Sequence, residues 1–426
     1  MLGIDWLLSP YDKNVFFEEI WQKRPEVLAT GRAGYFEGVF SKEEVERIIE
    51  FAQPRPPLIK LSSASSDDWT EVPFSPNGRI DIDQLRKLYL QGETVILRKV
   101  EDFSPAIARL ARAIETEMGA QVKVNSYLTP PSAQGFRPHY DTHDVLVAQI
   151  QGEKLWKVYG SDSVCPLNEM HAGDESYLGH KQPQFRPHQH QLVPDGDARN
   201  EMDDGDPQFR ESVEAPEEIR LKAGDLLYIP RGWIHEAVTD QVASLHLTIG
   251  VYPPLGKDLL NAALEAMVDR HPELREALPV GPLGSAADRA CLEMRFAELV
   301  ELFATHASAA EAAQAIDDQL LHRGRSGGDG HLFQDIENLG DLASDSQLER
   351  RTDLPCRLVN LDGGVGLQFL NGIIRGPEAF KAAMSFVATQ TEPFAVSDLP
   401  GLPTDHQLLF ASSLVTDGLC RLCERG

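Results

Sequence analysis

Two histidines and an aspartate carry the sharpest chemistry in this sequence. His139 and Asp141 flank Tyr140 at what reads as a strand edge, where residues i and i+2 point to one face and both reach one ion. A second strand end supplies a third ligand: Ala223-Gly224-Asp225 turns into Leu226 to Ile229, and Pro230-Arg231-Gly232-Trp233-Ile234 leads on to His235. Two neutral imidazoles and one carboxylate form a facial triad that leaves open positions on Fe(II) for a cosubstrate and O₂. Taken alone the spacing is weak, because 13 histidines allow many chance combinations. The strand pattern around both halves strengthens it.

Other reactive residues lose force on inspection. His188-Gln189-His190, with His171 and His180 nearby, sits in a polar stretch and reads as incidental surface histidine. Cys420-Arg421-Leu422-Cys423 has a zinc or redox spacing, but no second pair exists, so a helical pair facing the core is expected. Lys154 in its β run reads by itself as a solvated face residue, and Ser244 with His246 as either pocket or core. Tyr140, Trp156, Tyr159 and Trp233 read as packing residues, and Arg137 as a possible contact to a substrate backbone or acidic group. No Walker loop, dinucleotide glycine pattern or nucleophile elbow is present.

The elements that must position these groups are short strands. Thr94 to Leu97, Gln121 to Leu128, Val145 to Gln149, Leu155 to Tyr159 and Leu226 to Ile229 are too closely spaced for α/β crossovers, with one helix at Ala106 to Glu117 between them. An antiparallel barrel or double-sheet jelly roll is the economical architecture. Before it, Val15, Phe16, Ile20 and Trp21 recur at helical spacing, and Ser41 with Glu44 resembles a capping box. After Pro253-Pro254 the periodicity becomes helical over Leu259 to Asp269, Ala286 to Ala304 and on through Leu321, and Gly324 to Gly330 reads as a flexible connector. Cys356 to Leu361 and Val365 to Phe369 flank Asp362-Gly363-Gly364 as a hairpin, followed by helices at Pro377 to Ala388 and near Asp405 to Cys423. The expected domains are residues 1–255, a β domain with helical support, residues 256–345, a helical module, and residues 346–426, a small α+β unit of winged-helix-like composition.

Composition bounds the partners. The 426 residues, 42% hydrophobic and 25% charged, suffice for two or three packed units without metal or disulfide staples. Acids outnumber Lys and Arg by 66 to 40, and the net charge of -26 repels phosphate backbones and anionic membranes and favours basic proteins or peptides. Residues 193–220 alone hold ten acids against three arginines, reading as a solvated insertion or an acidic lip for a basic polypeptide. Five cysteines, an odd number, fit a reducing cytoplasm. With no signal-like amino terminus and no long apolar run, the chain is expected to be soluble and untargeted.

An ordered string of motifs then resembles a known family. Val124-Asn125-Ser126-Tyr127-Leu128-Thr129-Pro130, Gln134-Gly135-Phe136-Arg137-Pro138-His139-Tyr140-Asp141, Asp144-Val145 and Gln149 to Tyr159, continued by Gly224 to His235 and Ser244 to Thr248, are similar to the core of the JmjC-type ribosomal oxygenases. These are cupin-like protein hydroxylases that depend on Fe(II) and 2-oxoglutarate. The resemblance implies a double-stranded β-helix over residues 1–255, with His139, Asp141 and His235 as iron ligands. It places Lys154 at the distal carboxylate of 2-oxoglutarate, with Asn125 and Tyr127 as pocket positions and Ser244 and His246 as further pocket candidates. It also implies homodimerisation through residues 256–345, a winged-helix-like carboxyl-terminal domain, and hydroxylation of an arginyl or histidyl residue on a ribosomal protein. A small-molecule or peptide-tailoring oxygenase and a non-enzymatic cupin-like interaction protein are the alternatives. The segment between Asp141 and His235, longer than the family's usual connection, bears on substrate identity more than on iron.

Overall fold

The computed structural model describes residues 2–65, 70–161, 165–166, 170–171, 215–278, 286–323, 332–351, 354–370 and 372–423. Chain packing separates two units, one of Met1–Ala111 with Val122–Tyr252 and one of Arg112–Gln121 with Pro253–Gly426. The expected insertion lies outside the described residues over 193–214, as do His180, His188, His190 and the 324–330 connector.

The first unit is built on strands β1 (Glu26–Ala29), β2 (Ile59–Ser62), β3 (Thr94–Leu97), β4 (Gln121–Thr129), β5 (His139–Tyr140), β6 (Asp144–Gln151), β7 (Glu153–Ser161), β8 (Met170–His171), β9 (Glu217–Lys222), β10 (Leu226–Ile229), β11 (Trp233–Val238) and β12 (Ser244–Tyr252). They form a seven-stranded sheet, β1-β10-β6-β12-β4-β3-β2, and a five-stranded sheet, β8-β5-β11-β7-β9. Both sheets contribute to one core in which Val145, Val147, Leu227 and Ile229 pack with Trp156, Val158, Ile219 and Leu221. This is the expected jelly roll.

Side-chain periodicity shows which face of each strand serves the interior. Along β7, Lys154, Trp156 and Val158 are buried while Glu153, Leu155 and Lys157 are only partly covered. Along β4, Val122, Val124 and Ser126 are buried, which puts Lys123, Asn125, Tyr127 and Thr129 together on the other face. Gly152 turns β6 into β7 with a φ of +69°, and a Cβ there would lie 1.9 Å from the Ala243 carbonyl oxygen. Two strands precede the point where the sequence turns β-rich, β1 and β2, and β9 occupies the end of the stretch read as an acidic insertion.

The second unit opens with helices Gly256–Val268, Ala286–His306 and Ala309–Arg323. Small residues, Ala262, Ala263 and Ala312, make the tightly buried contact among them. Next come β13 (Gln347–Arg350), β14 (Cys356–Leu361), β15 (Gly364–Phe369), β16 (Gly372–Gly376), β17 (Phe394–Ala395) and β18 (Cys420–Leu422), with helices Lys381–Thr389 and Thr404–Thr416. The hairpin expected at Asp362-Gly363-Gly364 joins β14 to β15, Gly363 supplying the left-handed turn at φ +87°. The last helix is shorter than its sequence reads. Gly418, at φ +79°, follows its end, and Cys420 and Cys423 lie on and beside β18 instead of on a helix.

Candidate metal centre

One strand pair assembles the triad. His139 of β5 and His235 of β11 are direct partners in an antiparallel ladder. Asp141 follows β5, and its carbonyl oxygen accepts the Gly232 N–H at 3.0 Å, which ties the two ligand-bearing segments together. One potential ligand atom from each of His139, Asp141 and His235 lies within 4.8 Å of the others. The histidine ring centroids are 4.6 Å apart, and His235 Nε2 is 3.7 Å from Asp141 Oδ2.

Each imidazole is oriented by its own strand. His139 Nδ1 donates to the Arg137 carbonyl at 2.8 Å, and His235 Nδ1 to the Trp233 carbonyl at 2.9 Å. With the proton fixed on Nδ1, Nε2 keeps its lone pair for an ion. The donor set therefore fits a divalent first-row metal.

The triad opens on a cavity of about 210 Å³ that also includes Lys154, Asn125, Tyr127 and His246. Lys154 is 4% exposed, its Nζ donates to Thr129 Oγ1 at 3.0 Å, and burial pulls its pKa down to about 7. Thr94 Oγ1 donates to the same Thr129 oxygen at 3.2 Å. Gly135 closes over this point, since a Cβ there would approach Thr94 Oγ1 to 2.9 Å.

Aromatic rings line the same cavity as the cation and the triad. Tyr127 stacks on His246 at 4.9 Å with an interplanar angle of 4°, and Trp156 meets His246 edge-on at 5.3 Å and His235 at 6.0 Å. Burial, and secondarily the Lys154 charge, hold His246 well below the usual imidazole range, so it is a neutral wall residue. Asn125 Oδ1 accepts the Lys99 N–H at 3.2 Å. Ser244 is not brought into the cavity lining; its hydroxyl accepts from the Gln149 amide at 2.8 Å. Arg137 Nε donates to the Ala64 carbonyl at 3.1 Å. Thr129 and Thr94, which meet at Lys154, are left without a role by sequence reasoning, as are Lys60, Arg98, His143, Glu236 and Thr248 of the cavity lining, although Thr129 continues the alternation of Asn125 and Tyr127.

Fold and site together are a double-sheet jelly roll carrying a candidate centre for a divalent metal. The JmjC domain pattern matches residues 97–198 and 188–259. In sequence the chain is similar to ribosomal oxygenase 1 of Rattus norvegicus, 29% identical over 281 residues, which covers 65% of this chain and 42% of that protein. It is also similar to the bifunctional lysine-specific demethylase and histidyl-hydroxylase NO66 of Dictyostelium discoideum, 28% identical over 286 residues, covering 64% of this chain and 48% of that protein. The match thus spans less than half of either relative. In structure the chain resembles Escherichia coli ycfD, with a TM-score of 0.55 and 19% identity over 97% of this chain and 98% of that one. A structure of that ribosomal oxygenase in complex with cobalt and 2-oxoglutarate gives a TM-score of 0.51 at 17% identity, covering 97% of this chain and 99% of that one. The chain therefore resembles JmjC domains over residues 97–259 and, more broadly, the ribosomal oxygenases.

Proposed function

We propose that this protein is an Fe(II)- and 2-oxoglutarate-dependent oxygenase that hydroxylates a protein side chain, arginyl or histidyl, on a ribosomal protein. The observation that carries the reading is a His-Asp-His grouping and a buried lysine lining one cavity together with aromatic rings. His139, Asp141 and His235 hold the ion, and the cobalt and 2-oxoglutarate in the similar E. coli structure support this reading. When bound, iron with 2-oxoglutarate and O₂ supplies the oxidising power to place oxygen on an unactivated C–H bond, with succinate and CO₂ as coproducts. The chain's own residues do the rest. Lys154, steadied by Thr129, binds the far carboxylate of 2-oxoglutarate, Asn125 flanks the pocket, and Tyr127, Trp156 and His246 exclude water from the space between.

The net charge of -26 favours encounter with a basic polypeptide, as does the acidity of residues 193–220. Residues 256–345 are read as a dimerisation module. Leu292, Phe296 and Val300 leave an apolar stripe exposed on one helix, and Leu260 and Leu264 leave another. Residues 346–426 are read as a winged-helix-like module that helps present substrate. Among the described residues no helix is long and apolar enough to cross a membrane. A cytoplasmic location matches the cysteine usage.

The test is product chemistry. Ribosomal proteins, peptide pools and protein-free extracts are incubated separately with the enzyme, Fe(II), 2-oxoglutarate and O₂, and products one oxygen atom heavier are located by fragment mass spectrometry. The expected result is a hydroxylated arginyl or histidyl carbon on a ribosomal protein, absent with His139→Ala and without 2-oxoglutarate. Conversion of a small molecule or a non-ribosomal peptide alone would overturn the substrate assignment.

A further inference from the structure

Strand β11 and the chain leading into β5 run side by side but out of step. Gln134 bridges to Val238 and His139 pairs with His235, so five residue steps on one side cover what three cover on the other. The surplus forms a bulge directly before His139, the kind of irregularity that re-aims a side chain. Side chains take up its main-chain carbonyls: Ser62 Oγ donates to Gly135, Gln134 Nε2 to Phe136 at 2.8 Å, and His139 Nδ1 to Arg137 at 2.8 Å. The His139 ring therefore stands where the bulge holds the Arg137 carbonyl.

Glu236 reaches that bulge from the strand of the other imidazole. It follows His235 on β11, and its Oε2 accepts the Gln134 side-chain amide at 2.7 Å. The same Nε2 donates to the Phe136 carbonyl, so both amide hydrogens of Gln134 are committed. Glu236 Oε1 accepts the Tyr159 hydroxyl of β7 at 2.6 Å, which holds the carboxylate from a third strand. Further bonds tie the bulge to the chain just after β2, where the Ala64 N–H donates to the Gln134 carbonyl at 2.8 Å and Arg137 Nε to the Ala64 carbonyl at 3.1 Å. Glu236 borders the cavity but is not one of the three residues whose ligand atoms gather within 4.8 Å.

We propose that Glu236 is a positioning residue for the metal centre: standing beside one imidazole ligand, it holds Gln134 across the bulge and so sets where the Arg137 carbonyl aims the other. This rests on the metal reading above. Glu236→Gln keeps the link, because its carbonyl oxygen accepts the Gln134 amide while its own amide donates to Tyr159, whose hydroxyl accepts as readily as it donates. Glu236→Ala removes the link.

Cobalt(II) is the probe, with stoichiometry and affinity measured by titration and coordination read from its visible d–d bands. All are recorded well below each variant's unfolding temperature, which is measured separately. Wild type is expected to bind one equivalent. Glu236→Ala is expected to bind about 10- to 100-fold more weakly with shifted d–d bands, the size usual for a group behind a metal ligand. Glu236→Gln is expected to restore both. Gln134→Leu breaks the same link from its other end, so it should match Glu236→Ala, and the double variant should bind no more weakly than either. Gln134→Leu decides the matter if Glu236→Ala does not fold. Wild-type affinity and bands in the folded Ala or Leu variant, a loss in Glu236→Gln as large as in Glu236→Ala, or losses that multiply in the double variant would each overturn the proposal. A wild type that binds no stoichiometric cobalt would overturn the metal reading and this inference with it.

Discussion

Replacing Lys154 by methionine removes a buried cation while keeping most of its length and apolar stem. The ammonium has three N–H donors, and Thr129 takes one of them at 3.0 Å. The other two are available to a carboxylate, in a site where water is scarce and charge-assisted bonds are correspondingly strong. Truncating one partner of a buried, hydrogen-bonded charge pair costs about 2–5 kcal/mol, which is a loss of about 30-fold to several thousand-fold in 2-oxoglutarate affinity. Burial adds a pH signature. Below pH about 7 the lysine of the free protein is already protonated, so binding recruits no proton. Above it the free lysine is neutral, the bound dianion restores the charge, and each bound 2-oxoglutarate takes up a proton. Affinity should therefore fall as pH rises, approaching tenfold per pH unit between about pH 8 and about pH 9. Anaerobic calorimetry on Fe(II)-loaded protein, run in two buffers of different ionisation heat, measures affinity and proton uptake together. An affinity for Lys154→Met equal to that of wild type, or binding without proton uptake at the upper pH, would refute the assignment.

Gly152→Ala forces a Cβ to within 1.9 Å of the Ala243 carbonyl at a φ of +69°. A stability loss of about 2–4 kcal/mol is expected, seen as a lower urea midpoint at unchanged slope, and a loss below about 0.5 kcal/mol would contradict the steric argument. Phe296→Asp with Val300→Asp places charge on the exposed stripe of the Ala286–His306 helix. Light scattering should show a dimer for wild type and a monomer for the double variant; a wild-type monomer, or a variant that stays dimeric, removes the proposed interface.

The half of the fold that carries the candidate site is legible in the sequence where a two-residue period runs long enough to read. The alternation along β4 and β7 by itself puts Asn125 with Tyr127, and Lys154 with Trp156, on common faces. His139 and Asp141 are legible for the same reason, although β5 is only two residues long and what assembles the site is its register with His235, far away in sequence. Register is a non-local property that local patterning does not encode. The role proposed for Lys154 comes from the resemblance alone, because nothing in its own neighbourhood announces that Thr129 will meet it. Glu236 has no function to assign from sequence, since Gln134 is 102 residues away and Tyr159 77. β1 and β2 escape a sequence reading because each is short and mixes a charged residue with apolar ones, Glu26 and Lys60, whereas the equally short β3 and β10 are unbroken runs without charge. The cysteine pair reads as helical because helical periodicity continues through it, and the left-handed Gly418 that stops the helix carries no side chain to break the pattern.

Two imidazoles whose lone pairs are aimed before any ion arrives make a stiff receptor, and stiffness of this kind does not choose iron. Nitrogen and carboxylate donors hold nickel, copper and zinc more tightly than Fe(II) at equal concentration. Because the main-chain carbonyls of Arg137 and Trp233 fix both rings, those competitors meet the same ready-made face. Iron occupancy is then governed by supply and by exchange rate, not by intrinsic preference. Protein recovered from metal-replete cells would carry a mixture of ions, and its specific activity would report the history of the preparation as much as the quality of the fold.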